Sequence, residues 1–188
     1  FFINNTVNAS LGSASPNSFD PGMYSQFEKN LNIDLSYPVD VGLASDLNIA
    51  GGFEWRDEEF EIGIGDEASY TVGPLADQGF SAASNGFPGF GPLAQGDWSR
   101  SNIAAYIDVE ADVTDNWLLA GAMRWEDFDD FGTTTNFKIA THFQATDWLG
   151  LRGTYSTGFR APTPGQSNAY NVSTEFNLAT GDLENNGT

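Results

Sequence analysis

Asp57, Glu58, Glu59 and Glu61 put four carboxylates within five residues, a donor set that a hard cation such as Ca²⁺ accepts. Charges at that density normally sit in water, so the run also reads as an acidic loop held clear of an apolar phase. Asp127, Asp129 and Asp130 before Gly132 echo the start of a calcium loop. Phe131 stands at its fifth position, however, and Lys138 at its twelfth, where a bidentate Glu is required, so an EF-hand is excluded. The single histidine, His142, brings neither a metal-ligand set nor a triad, because its neighbours in sequence supply no partners. With no cysteine there is no disulfide and no thiolate metal site. Neither a phosphate loop nor a nucleophile elbow occurs, and no cofactor is expected. The residues point to binding rather than catalysis; a lipid hydrolase using His142 and a serine on the same face is the enzymatic alternative.

The segment 79–98, GFSAASNGFPGFGPLAQGDW, is rich in Gly, Phe and Pro. An aromatic loop of this kind is a ligand-capture surface, with Phe80, Phe87, Phe90 and Trp98 as the contacts. The same rings would serve equally to order the loop by packing on one another.

The elements that must position these residues have period two. Leu31, Ile33, Leu35 and Tyr37 alternate with Asn32, Asp34 and Ser36, and Leu47, Ile49, Phe53 and Trp55 with Asn48, Glu54 and Arg56. The same pattern runs through Ile103–Val113, Leu119–Glu126, Phe137–Gln144 and Leu149–Arg160. Helical spacing fits none of these six segments, so the chain reads as all-β. Each is roughly 9–13 residues long, enough to cross a bilayer at a tilt and longer than the usual soluble strand. Short links at Pro38–Asp46, TDN and TDW contrast with longer ones at 11–25 and about 63–99; DFDDFG is a short exception. Tyr37, Trp117 and Trp148 fall near the short turns, and Trp55, Trp125, Tyr155 and Phe159 toward the long loops, as two interfacial girdles would. Asp108, Glu110, Asp112, Arg124, Glu126, Lys138, His142, Arg152 and Arg160 share the parity opposite the apolar stripe. In a dry core so many charges would be prohibitive, whereas a hydrated lumen accepts them. A soluble β-sandwich with aromatic edges is the alternative architecture.

The balance of 26 acidic to 7 basic residues, a formal net charge of −19, excludes a nucleic-acid partner, which needs clustered Lys and Arg. No apolar run is long enough for a transmembrane helix. FFINNTVNAS lacks the features of a signal peptide and no Met begins the chain, which reads as a piece of a longer polypeptide.

LRGTYSTGFRAPTPGQSN (151–168) resembles the signature of TonB-dependent outer-membrane receptors, in which a barrel strand ends in Gly-Phe-Arg-Ala-Pro: here Gly158, Phe159, Arg160, Ala161 and Pro162. NLNIDLSYPVDVGLASDLNIAGGFEWRDEEFEI resembles their hairpin with a glycine-rich strand. FPGFGPLAQGDWSRSNIAAYIDVEADVTDNWLLAGAMRWEDFDDFG is similar to a loop, strand, tight turn and strand of the same barrel. The resemblance implies an antiparallel up-and-down transmembrane β-barrel of about 22 strands around a plug. Residues 1–188 would supply about seven or eight strands of one barrel domain, with the plug and the remaining strands outside the chain. It implies energised uptake across the bacterial outer membrane of a scarce nutrient, an iron–siderophore complex first, cobalamin or carbohydrate next. Its partners would be the TonB complex through the plug, the plug itself, lipid and lipopolysaccharide, and a small-molecule ligand. Arg160, on the polar parity, would point to the lumen, where the plug supplies acceptors, and is also a candidate ligand contact; the motif would serve barrel and plug more than a particular substrate. Within the motif, Gly158 would admit a bend or a close backbone, Phe159 would anchor outward in the interface, and Pro162 and Pro164 would stop the strand. A complete small barrel of structural or adhesive type is the alternative within the membrane class.

Overall fold

The computed structural model describes residues 2–168, 172–177 and 182–187. β1 (Ile3–Asn4) pairs with β2 (Ser18–Phe19). β3 (Met23–Val39), β4 (Leu47–Gly63), β5 (Gly96–Thr114), β6 (Trp117–Phe128), β7 (Gly132–Thr146) and β8 (Leu149–Ser156) form one sheet in chain order. A single helical turn, α1 (Glu67–Tyr70), lies between β4 and β5; another, α2 (Pro164–Ser167), follows β8. β9 (Val172–Asn177) and β10 (Asp182–Gly187) pair as an antiparallel hairpin. The chain divides into two compact units, residues 1–27, 59–99 and 162–188 in one and residues 28–58 and 100–161 in the other.

All six alternating segments are strands of the one sheet, which has six strands rather than seven or eight because the other extended segments form the two small sheets. Four strands exceed the expected length: β3 and β4 have 17 residues, β5 has 19 and β7 has 15. At about 3.3 Å per residue, 19 residues reach about 60 Å, twice the ~30 Å hydrocarbon core, so such a strand continues well into water. That continuation corrects the reading of Asp57–Glu61 as a loop. These carboxylates lie inside β4, where water and paired cations satisfy them while the backbone ladder carries on. Trp98 is likewise in β5 rather than in the preceding loop.

The short turns repeat one device. β5 and β6 close through Thr114 paired with Trp117, and β7 and β8 through Thr146 paired with Leu149. Each hairpin has a register shift just before the threonine, between Asp112 and Thr114 and between Gln144 and Thr146. Such a bulge tightens the local twist, which lets a two-residue turn meet a long hairpin. The β6–β7 turn pairs Phe128 with Gly132, whose φ of 75° is a conformation that glycine adopts without penalty.

The unit of residues 28–58 and 100–161 has no apolar core between its faces. Leu31, Ile33, Leu35, Phe53, Ile103, Ile107, Met123, Phe137, Ile139 and Leu151 are all exposed, and all share the odd parity. A contiguous apolar face of that extent is what a lipid-facing wall presents. The opposite parity carries most of the charges; Lys29 and Asp57, on the odd parity, pair with each other. The unit containing residues 1–27 and 59–99 is built differently. Its centre is the buried pair Asn8 and Ser10. Asn8 Nδ2 donates to the carbonyls of Ala68 (3.0 Å) and Thr71 (2.8 Å), and the Ser10 hydroxyl donates to Asn8 Oδ1 (2.6 Å) and accepts from Gly73 N–H (2.8 Å). Ser10 also bonds through its backbone to Leu75 and Ser81. The N-terminal segment and the long β4–β5 connection therefore order one another through hydrogen bonds to backbone, and a loop of irregular structure becomes a defined surface.

The face assignment has a direct test. Ile107→Arg, near the middle of the apolar stretch of β5, should destabilise the full-length protein in lipid by about 2–4 kcal/mol, while Asp108→Arg on the adjacent parity should cost far less. Urea unfolding in lipid vesicles measures both; equal costs would refute the two-faced wall.

Candidate functional site

The charged parity of the sheet carries a connected network. Glu54 of β4 accepts from Arg56 Nη2 (3.0 Å) and from Arg124 Nη2 of β6 (3.0 Å), and Arg124 also donates to Glu126 (2.9 Å). Arg56 Nε donates to Asn30 of β3 (3.2 Å), with Glu28 at 3.6 Å. Arg124 crosses the whole of β5 to reach β4. Such a span needs a wall whose side chains lie flat along it.

Tyr106 makes the matching crossing in the other direction. From β5 its ring lies over Gly52 of β4, and its hydroxyl donates to Asp34 Oδ1 of β3 (2.7 Å). A Cβ at Gly52 would collide with both the Asp34 carboxylate and the Tyr106 ring. The glycine-rich strand thus has a specific purpose here: it leaves a shallow seat for a ring from the neighbouring strand.

A buried pair lies on the same parity. Arg100 and Glu58 are each about 4% exposed, and Arg100 Nη2 donates to Glu58 Oε2 at 2.5 Å and Nε at 3.2 Å. The guanidinium lies 5.5 Å from the Phe128 ring centroid and 6.0 Å from that of Phe131, with Asp130 at 3.9 Å. Asp129 accepts from the Ser101 N–H (3.0 Å) and hydroxyl (3.1 Å). The acidic β6–β7 turn is thereby fixed on β5, and its carboxylates serve to hold protein groups. Sequence reading missed Arg100; its even parity, shared with Asn102 and Asp108, was the available signal. Among the described residues no group of acidic, His or Cys side chains is arranged to hold a metal ion.

The motif residues lie beyond the end of the last strand of the sheet. β8 ends at Ser156, although Thr157 N–H still bonds to the Phe137 carbonyl (2.9 Å). Phe159 is exposed and packs on neighbouring rings. It lies edge-on to Phe128 (6.3 Å) and Phe131 (6.4 Å), because once the strand has ended parity no longer dictates direction. A Cβ at Gly158 would meet open space, so no close backbone explains that glycine. Arg160 is exposed and Ala161 buried. Pro162 is exposed, and Pro164 opens α2 behind a capping box in which Thr163 and Gln166 bond reciprocally.

In the other unit, Phe87 and Phe90 meet edge-to-face at 5.6 Å, Phe87 being exposed and Phe90 half-buried. Phe80 is exposed. Trp98 instead stacks on Phe60 (6.2 Å), which also faces Tyr24 (6.4 Å) and Gly165. Phe87 with Phe90 and Trp98 with Phe60 therefore form two separate ring contacts.

Four substitutions probe this arrangement. Gly52→Leu should unseat Tyr106 and lower stability by ~2–3 kcal/mol, more than Tyr106→Phe, which loses only the hydrogen bond to Asp34. Arg100→Met should cost about 3–5 kcal/mol by leaving Glu58 buried and unpaired, and Glu58→Gln added to it should recover part of that loss. Thermal and urea unfolding of the full-length protein report each; an additive double variant would show that the pair is not coupled.

Comparison with known proteins fits this two-faced wall. A vitamin B12 transporter, BtuB, of Vibrio cholerae serotype O1 (strain ATCC 39541 / Classical Ogawa 395 / O395) is 28% identical over 142 residues, 75% of this chain and 18% of the transporter. The protein of the same name from Photobacterium profundum is 34% identical over 64 residues, 34% of this chain and 10% of that protein. The chain thus spans less than a fifth of the length of the curated relatives it matches. No solved structure matches it significantly. The family model described as TonB dependent receptor-like, beta-barrel, matches residues 2–187, and the chain belongs to that family.

Proposed function

We propose that residues 1–188 are part of one barrel domain of a TonB-dependent receptor, forming a section of its wall and ligand-facing loops in the bacterial outer membrane. The observation that carries this reading is the division of one sheet into an exposed apolar parity and a charged, internally bonded parity. Lipid on one side and a hydrated lumen on the other satisfy both. β3 and β8 are the outer strands of the sheet, and in a bilayer their backbone groups need further strands of the same barrel. A plug within the lumen and the TonB complex beyond it would drive release of the bound solute; lipid and lipopolysaccharide would contact the outer face. The activity is uptake, not catalysis.

Phe80, Phe87 and Phe90 in one unit, and Arg160 in the other, are the side chains we assign to ligand contact. Trp98 acts through Phe60. For the substrate we place a corrinoid first, because both named relatives are vitamin B12 transporters, and an iron–siderophore complex, the expectation from the sequence motif, second. A strain lacking the full gene should lose growth on limiting vitamin B12 if the corrinoid reading holds, and on a limiting iron chelate if the siderophore reading holds; growth unimpaired on both would reject both. Phe87→Ala should weaken binding of the active ligand about tenfold, ~1.4 kcal/mol, as measured by isothermal titration with the full receptor.

A further inference from the structure

The basic residues of the sheet fall into two groups. Lys29 pairs with Asp57 (3.4 Å), and Arg56, Arg100 and Arg124 pair with Glu54 or Glu58. All of these lie on β3–β6. β7 and β8 have no carboxylate in either strand, yet they carry Lys138, His142 and Arg152. All three are exposed and share the charged parity. His142 stands directly opposite Arg152 across the ladder, and Lys138 is four residues along β7, about 13 Å at 3.3 Å per residue. The residue facing Lys138 on β6 is Ala122, and the nearest carboxylate on the same parity of β6, Glu126, is already bonded to Arg124. Among the described residues neither Lys138 nor Arg152 belongs to an ion pair.

In a chain of 26 carboxylates, two adjacent strands without one make a local reversal of charge. An anion approaching this wall meets repulsion along most of it and attraction on β7–β8. Basic side chains lining an aqueous path are a general device for passing anionic solutes. Opposed donors such as Arg152 and His142 gain when an oxyanion lies between them, since like groups facing each other across a ladder otherwise disfavour it.

We propose that Lys138, His142 and Arg152 form an oxyanion-binding track on the β7–β8 wall, receiving a phosphate or carboxylate group of the transported solute. This deepens the uptake reading and rests on it for the identity of the solute, though not for the binding itself.

Limited acylation of the full-length receptor in detergent, read by peptide mass spectrometry, tests the track. Inorganic phosphate or citrate, compared with chloride at equal ionic strength, should protect Lys138 several-fold. Lys29, held by Asp57, should be unaffected. Arg152→Gln should abolish the protection without changing the Lys29 signal. Protection by phosphate alone or by citrate alone would support the track and assign its oxyanion class. Equal labelling in chloride, phosphate and citrate would overturn it. So would carbodiimide joining Lys138 to a carboxylate of the receptor without added anion, since the strip would then be occupied by protein. The labelling requires no transport, so failed growth on vitamin B12 or an iron chelate would reject the uptake reading and leave this result standing.

Discussion

A strand in a bilayer has two faces, and a slip of one residue exchanges them along its whole length. Everything in this sheet depends on keeping that register. The apolar parity, from Leu31 through Ile107 to Leu151, tolerates lipid only while Asp34, Glu54 and Arg124 remain on the other side. Hydrogen bonds of the ladder do not choose between registers, because a slipped ladder bonds equally well. Side chains that reach across strands do choose. Tyr106 seated on Gly52, Arg124 spanning β5 to Glu54, and Arg100 buried against Glu58 each fit in one register only.

These contacts differ in what they contribute. Pairs such as Lys29–Asp57 are partly exposed, and ion pairs of that kind add no more than about 1 kcal/mol. Arg100–Glu58 is of another kind: it is desolvated, flanked by the Phe128 and Phe131 rings, and costly to break from one side. Its weight falls where β5 meets the β6–β7 turn, and Phe159 packs on the same rings as the chain leaves β8. The Gly-Phe-Arg-Ala-Pro segment thus joins an existing aromatic and cationic cluster.

The loops are stabilised on a different principle. Asn8 and Ser10 are fully buried polar residues whose bonds go to backbone groups of Ala68, Thr71, Gly73 and Leu75. A surface segment with little apolar material to bury can still be defined in this way, at the risk that each lost partner leaves a buried group unsatisfied.

Period-two alternation determined which segments are strands, which parity carries the exposed apolar side chains and where the Thr-Asp turns close, because these follow from local steric and solvation rules that every two residues repeat. The motif at 158–162 carried the family. Parity also placed His142 and Arg152 on one face, but only pairing of β7 with β8 put them opposite each other. The acidic run 57–61 was misread because charge density alone does not tell a loop from a strand that has left the membrane. Arg100 and Glu58 are 42 residues apart, and Tyr106 and Asp34 are 72 apart, so no local pattern could join them. Those contacts, and the packing of Phe159 on Phe128 and Phe131, were decided by tertiary structure, where long side chains cross strands and the end of a ladder frees the backbone from its alternation.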